Sequence, residues 1–393
     1  MLKQYRNKDL VCYSHLRWGF VYQRPQHLMS RFVRDRRVFF IEEAEYIEDA
    51  KPSLRARVCE QSGVNVITPV IPNEPEARRT SAVVAKLVTK LFATKRIRDY
   101  VAWLYTPMAL DLMPPAKAAV VVYDCMDELS LFAGAPAELV AKEQDLFRLA
   151  NLVFTGGISL FEAKRRQHKA VYPFPSSVDS EHFIQARTMS DTADDQKGLP
   201  HPRLGYAGVI DERIDLPLIA AMADVRKEWQ IVMIGPIAKI NPADLPQRPN
   251  IHWLGIKPYS ELPRYFAGWD AALMPFAINE ATRYISPTKT PEYLAAGLPV
   301  ISTPVRDVVR QYGQLGLARI ASNAQEFIQE VEQALAFGMS MKWRQRADAF
   351  LRTLSWERTW EQMNALVSEA AEKEESAQPR AIIAAPLASG GAA

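Results

Sequence analysis

The sequence predicts an α/β protein made of two open, parallel-sheet domains that face each other across a cleft. Three observations carry this expectation. Short apolar runs alternate with amphipathic stretches along the whole chain, the pattern of strands joined by crossover helices. The pattern breaks at a polar, proline-ended stretch near residues 185–202 and then starts again. The 393 residues are long for one domain and suit two.

The first domain, residues 1–184, shows strand-like runs at 10–14, 38–42, 64–68, 101–105, 120–123 and 152–155. Helical periodicity covers 23–34 and 137–150. Residues 185–202 have no period and end in Pro200 and Pro202, so a linker or surface loop is expected. The second domain, residues 203–355, repeats the alternation. Its strands are expected at 203–207, 230–234, 251–253, 271–275, 300–302 and 318–321, and its helices at 215–226, 260–267, 291–296, 307–312, 324–337 and 340–353. One more helix covers 356–371, and residues 372–393 read as a disordered tail. In such sheets ligands bind beyond the carboxyl ends of the strands, so residues just after strands are the place to look for chemistry.

Hydrophobic residues make up 48% of the chain and charged residues 24%, enough for two real cores. The net charge of +3 does not call for a nucleic-acid partner. Three cysteines, an odd number with no paired spacing, argue against a disulfide framework or a zinc site and fit a reducing cytoplasm. The charged N-terminus has no apolar core, so no signal peptide is expected. No apolar run reaches the roughly 18 residues that span a bilayer, so any membrane contact is expected to be peripheral.

The densest chemistry lies in the run 286–302. Pro291 fits only the first turn of a helix, which makes Thr290 the expected N-cap and puts Glu292 in that turn. A helix N-terminus offers unpaired N–H groups and a positive dipole end. Lys289 adds a full charge, and Ser286 and Thr288 add hydroxyls, a set suited to a pyrophosphate. Glu292 can accept hydrogen bonds from ribose hydroxyls. The alternative is a plain capped helix with a solvated lysine and glutamate.

This run resembles the nucleotide-sugar motif of glycosyltransferases with the GT-B fold, two Rossmann-like domains facing a cleft. The resemblance is to the family 1/4 type of bacterial cell-envelope and exopolysaccharide enzymes. Residues 205–216, with Gly208 and Arg213, resemble the first strand–loop–helix of the nucleotide domain, and 234–236 its second strand. Residues 250–255 and 259–263 resemble the base-proximal segment, and 355–357 the start of the helix that crosses back to the first domain. The resemblance implies diphosphate binding by Lys289 and ribose binding by Glu292. It also implies a UDP- or GDP-sugar as substrate, with no bound cofactor and no metal. Two departures stand out. Tyr284 occupies the position, eight before Glu292, where retaining relatives carry a second glutamate, and Val209 stands where they carry an arginine. Arg213 and Arg283 are the candidates to supply that charge, and stereochemistry stays open.

The acceptor side is expected in the first domain. Trp18, Gln23, Arg24, Pro25, Gln26 and Leu28 resemble the opening segment of the same group. Gly19 would let backbone approach the substrate, and Arg24 would face the cleft from a helix start. A packed aromatic with a surface arginine is the alternative. Asp124 and Asp127 follow the strand at 120–123, where a carboxylate can deprotonate an acceptor hydroxyl. Asp127 comes first, because inverting relatives carry their base in a similar loop; either residue could instead cap the turn before Leu129. Gly156 and Gly157 end another strand and allow close approach of diphosphate or acceptor. His15 and His27 read as structural. Residues 78–98 form a basic amphipathic pattern suited to an anionic membrane surface, or to packing on the protein's own sheet with a solvated basic face.

The expected function is transfer of a sugar from a nucleotide-diphosphate donor to a cell-envelope, polysaccharide or lipid-linked acceptor, in the cytoplasm or at the inner face of the plasma membrane. A sugar-nucleotide epimerase of the same fold and a non-catalytic nucleotide-sugar-binding protein are the alternatives.

Overall fold

The computed structural model describes residues 8–74 and 81–377. Two sheets organise it. The first contains β1 (Asp9–Tyr13), β2 (Val38–Ile41), β3 (Glu45–Ile47), β4 (Ser53–Val58), β5 (Asn65–Pro72), β6 (Tyr100–Leu104), β7 (Val120–Cys125), β8 (Leu152–Thr155) and β9 (Val171–Pro173). Its order is β3-β5-β2-β1-β6-β7-β8-β9, all parallel, with β4 antiparallel to β5. The second contains β10 (Arg203–Ala207), β11 (Gln230–Ile234), β12 (Ile251–Gly255), β13 (Ala271–Met274), β14 (Val300–Ser302) and β15 (Arg319–Ile320). Its order is β12-β11-β10-β13-β14-β15, and every pair is parallel.

Strands β3, β4 and β9 carry no signal in the sequence because they lie where little is buried. β4 is exposed along most of its length and reads as polar, with Arg55 and Arg57 in its middle. The central strands are buried on both faces and read as continuous apolar runs. In both sheets the strand order reverses at the first strand, β1 and β10, and the loops after them open toward the cleft.

Residues 185–202 are strapped to the second sheet rather than hanging between domains. Ala186 and Ala193 belong to the second core. Gln196 is fully buried, donates to the Tyr265 carbonyl at 2.9 Å and accepts from the Trp269 indole at 3.0 Å. Val178 and Phe183, ahead of that stretch, are also in the second core. The polar residues that made the segment look like a loop are its anchors.

The helix Trp356–Ala377 returns to the first sheet, where Trp356, Met363, Val367 and Ala371 enter the core with Phe32 and Trp103. It runs six residues beyond the expected end at 371, and the rest of the expected tail lies outside the described residues. Within the basic segment, helix Ala82–Lys95 buries Val84, Val88, Leu91 and Phe92 against the first domain and exposes Lys86, Lys90 and Lys95. Arg78 and Arg79 lie outside the described residues. Among the described residues no helix is long and apolar enough to cross a membrane.

Candidate active site

The cleft is walled by both halves of the chain. From the first half come Tyr22, Gln23, Arg24, Met126, Asp127, Gly156 and Ser176. From the second come Gly208, Arg213, Gly235, Ile256, Tyr259, Ser286, Thr288, Lys289 and Glu292. Its empty volume is about 1220 Å³ with the open mouth included, against about 300–1,000 Å³ for typical ligand pockets.

The helix that carries Lys289 and Glu292 begins at Lys289, two residues earlier than expected, and runs to Ala296. Thr288, not Thr290, is its N-cap, and Gly297 closes it in the left-handed conformation. The correction has a simple cause. None of a helix's first four N–H groups has an intrahelical acceptor, so Pro291 is tolerated at the third position as well as the first. Thr290 is fully buried instead.

Lys289 passes directly over Gly208: a Cβ added there would lie 1.9 Å from the Lys289 Cε. Only glycine allows this approach, which carries the ammonium over the Tyr206 ring at 5.7 Å from its centroid. Burial pushes the Lys289 pKa down; Glu292 opposes that shift and Arg213 adds to it. Glu292 is pushed up to about 7, chiefly by burial, with Lys289 and a Thr288 hydrogen bond acting the other way. Both groups are less comfortable as charges than they are in water, the condition of a site awaiting a charged partner.

The linkage for Glu292 gives a stability test. Its folded pKa lies above the unfolded value near 4.5, so its contribution is fully present below that value and is lost as pH rises toward and through 7. Glu292→Gln should therefore stabilise the ligand-free protein at pH 8, by on the order of 2 kcal/mol after allowance for the water-open side, and by almost nothing at pH 4. Denaturant midpoints of both proteins at the two pH values check this. Equal midpoints at pH 8 would contradict the assignment.

Two arginines were candidates for the missing charge, and the structure brings one to the cleft. Arg213 donates to both Asp211 carboxylate oxygens at 2.6–3.1 Å and lies over the Phe132 ring of the opposite half. Arg283 faces solvent, pairs with Glu280 at 3.2 Å and packs on Tyr284. The buried Thr282 ties this loop down through the Ala277 carbonyl and turns Arg283 outward. Tyr284 packs against the first core.

Asp124, on β7, and Asp127, just after it, part company. Asp124 is wholly buried and holds Arg24 through contacts of 3.0 Å to Nε and 2.8 Å to Nη2, with the Trp103 indole at 3.3 Å. The third Arg24 arm donates to the Phe174 carbonyl at 2.7 Å. Asp124 is therefore not a base: it faces the core, and Arg24 is held by that pair at the cleft wall. Asp124→Ala would leave the arginine buried without its counter-ion, and should cost about 3–5 kcal/mol in a denaturant unfolding experiment. A loss below about 1 kcal/mol would refute the structural role.

Asp127 reaches the cleft. Among the described residues no donor is hydrogen-bonded to its carboxylate, and the turn before Leu129 takes Glu128 as its N-cap, so Asp127 is not a cap. Burial pushes its pKa up, and Arg213, Lys289 and Lys239 face it from the opposite half.

Three expected acceptor residues change role. Trp18 is buried edge-to-face on Phe40 at 4.9 Å, outside the cleft wall. Gly19 is exposed with open space around it, at the edge of the cleft beside the lining Phe20 and not itself in the wall. Gly157 serves the join between halves: a Cβ there would lie 2.4 Å from Asp307 Oδ2 and 2.8 Å from Ser286 Cβ. Asp307 in turn accepts from the Ser159 backbone N–H at 3.1 Å and hydroxyl at 2.5 Å. Gly156 does line the cleft. His15 and His27 are both held neutral by burial, and His27 stacks on Trp356 at 4.6 Å. Asp211, Tyr22, Tyr259 and Ser176 were not singled out from sequence. Among the described residues no group of three or more metal-binding side chains converges.

Two open α/β domains thus face each other across one cleft, and the same arrangement occurs in known proteins. Residues 201–336 match the family model described as Glycosyl transferases group 1. The fold is GT-B. A sucrose-phosphate synthase from Thermosynechococcus elongatus superposes with a TM-score of 0.68 at 12% identity, covering 93% of this chain and 100% of that one. Anabaena HepE in complex with UDP and glucose gives 0.63 at 13% identity, over 91% of this chain and 99% of that one. In sequence, TuaH of Bacillus subtilis (strain 168), named for teichuronic acid biosynthesis as a glycosyltransferase, is 31% identical over 103 residues. That match spans about a quarter of each protein, 25% of this chain and 26% of the relative. Residues 201–336 are thus similar to group 1 glycosyltransferases, and the chain as a whole has the GT-B fold.

Proposed function

We propose that the chain is a glycosyltransferase that moves a sugar from a nucleoside-diphosphate donor to an acceptor hydroxyl. The observation that carries this is the meeting, across one cleft, of the Lys289–Glu292 helix start and the unpartnered Asp127 carboxylate. The diphosphate would sit between Lys289, Arg213 and the helix N-terminus, with Ser286 and Thr288 as hydroxyl donors and Gly208 allowing the approach. Glu292 would take the ribose. Asp127 would accept the acceptor's proton as that oxygen attacks the anomeric carbon, while the bond from that carbon to the diphosphate breaks and its charge develops toward Lys289 and Arg213. A base on the lobe opposite the donor suits direct in-line displacement.

UDP in the HepE complex and the group 1 match support a UDP-sugar first. The TuaH similarity supports a cell-envelope polysaccharide acceptor. The exposed Lys86, Lys90 and Lys95 support contact with an anionic membrane where a lipid-linked acceptor would be held. The test is release of nucleoside diphosphate from UDP- and GDP-sugars with and without cell-envelope acceptors. Acceptor-dependent release with a glycosylated product is expected. Conversion of the donor without any diphosphate release would point to an epimerase, and binding without turnover to a non-catalytic role.

A further inference from the structure

Tyr259 opens the short turn after β12, and its ring is clamped from two sides. Tyr22, from the first half, stacks on it at 4.7 Å and 30°. His182 stacks at 4.3 Å and 13°, and its Nε2 is 2.9 Å from the Tyr259 carbonyl oxygen. The ring is part of the cleft wall with Glu292, yet its hydroxyl is buried and has no hydrogen-bond partner. A buried hydroxyl left without a partner is destabilising, and a ligand that supplies one relieves it. Burial first, and then the nearby Glu292 carboxylate, keep the phenol protonated, so it is a donor at neutral pH.

A carboxylate accepts and a phenol O–H donates. Beside a diphosphate site, that pair matches the cis-diol of a ribose, whose hydroxyls both donate and accept. Resting on the donor reading above, we infer that Tyr259 is a specificity residue: its hydroxyl, with the Glu292 carboxylate, reads one of the two ribose hydroxyls and restricts the donor to ribonucleotides. Deoxyribonucleotide sugars would leave the phenol unpaired. A site built to bond a hydroxyl discriminates strongly against the analogue lacking it.

The test is calorimetric binding of UDP, 2′-deoxy-UDP and 3′-deoxy-UDP, and the same set for GDP, to the full chain and to Tyr259→Phe. The phenylalanine keeps both stacking partners and removes an unpaired hydroxyl, so an unfolding midpoint equal to or above that of the wild type serves as the fold control. In the wild type, loss of the hydroxyl that Tyr259 reads should weaken binding about tenfold or more. In Tyr259→Phe that ratio should collapse to within about twofold, while the ratio for the other hydroxyl persists. If Tyr259→Phe leaves both ratios as in the wild type, or weakens all three nucleotides equally, the inference is overturned. If the wild type binds neither the UDP nor the GDP set, the donor reading itself falls, and this inference with it.

Discussion

Asp127→Asn should lower kcat by two to four orders of magnitude while leaving donor affinity within a few-fold of the wild type. That is the usual contribution of a positioned general base. The substitution keeps the shape and removes only the ability to take a proton. Its structural cost should be small, because burial already holds the carboxyl above its ordinary range and removing its charge relieves that penalty. Arg213 keeps its own partner, Asp211, so the donor side is not left with an unpaired cation. Steady-state rates at saturating donor, together with donor Kd from calorimetry, separate the two effects. A variant with kcat within a few-fold of the wild type would remove Asp127 from the chemistry. An equal fall in kcat and donor affinity would place it in binding instead.

The choice between Asp127 and Asp124 shows what the sequence could and could not disclose. The clustering on the second half of the cleft was legible because its parts are contiguous. Ser286, Thr288, Lys289 and Glu292 lie within seven residues, so strand, loop and helix place them together whatever surrounds them. The acceptor side was not. The expected strand ended at Tyr123, leaving both aspartates in a loop, whereas β7 continues through Cys125. Asp124 is thereby on the strand, and alternation sends it to the face of Val120 and Val122. There it meets Arg24, a residue 100 positions earlier. No local pattern announces a contact of that length, and a buried carboxylate reads like a catalytic one until its partner is seen. Trp18 misled in the same way. Its place in a family-like segment suggested a substrate contact, while its ring packs on Phe40 in β2. The aromatic clamp on Tyr259 joins three segments distant in sequence; the segment 259–263 stood out, but no local pattern announced its contacts with Tyr22 and His182.

The second large effect concerns Lys289. Lys289→Met should weaken nucleotide-sugar binding by at least about a hundredfold, the scale of a charge-assisted bond made in a partly desolvated site. The same change should not destabilise the ligand-free protein. Burial presses the ammonium toward its neutral form and Arg213 adds to this, while Glu292 opposes it; because burial also pushes Glu292 toward its protonated form, an apolar side chain of similar length costs little there. The two expectations are separated in one thermal-shift experiment. With donor at a hundred times the wild-type Kd, the wild type gains about 2.7 kcal/mol, and a variant bound a hundredfold more weakly gains about 0.4 kcal/mol. The ligand-free midpoint should hold or rise while the ligand-induced shift nearly disappears. Gly208→Ala reaches the same result by another route, because its methyl would occupy the path of the Lys289 side chain, 1.9 Å from Cε. The lysine would have to leave the ring of Tyr206, and donor binding should fall with it. If Lys289→Met kept the full ligand-induced shift, the diphosphate could not lie at this helix start. If only Gly208→Ala lost it, the glycine rather than the charge would be what the donor requires.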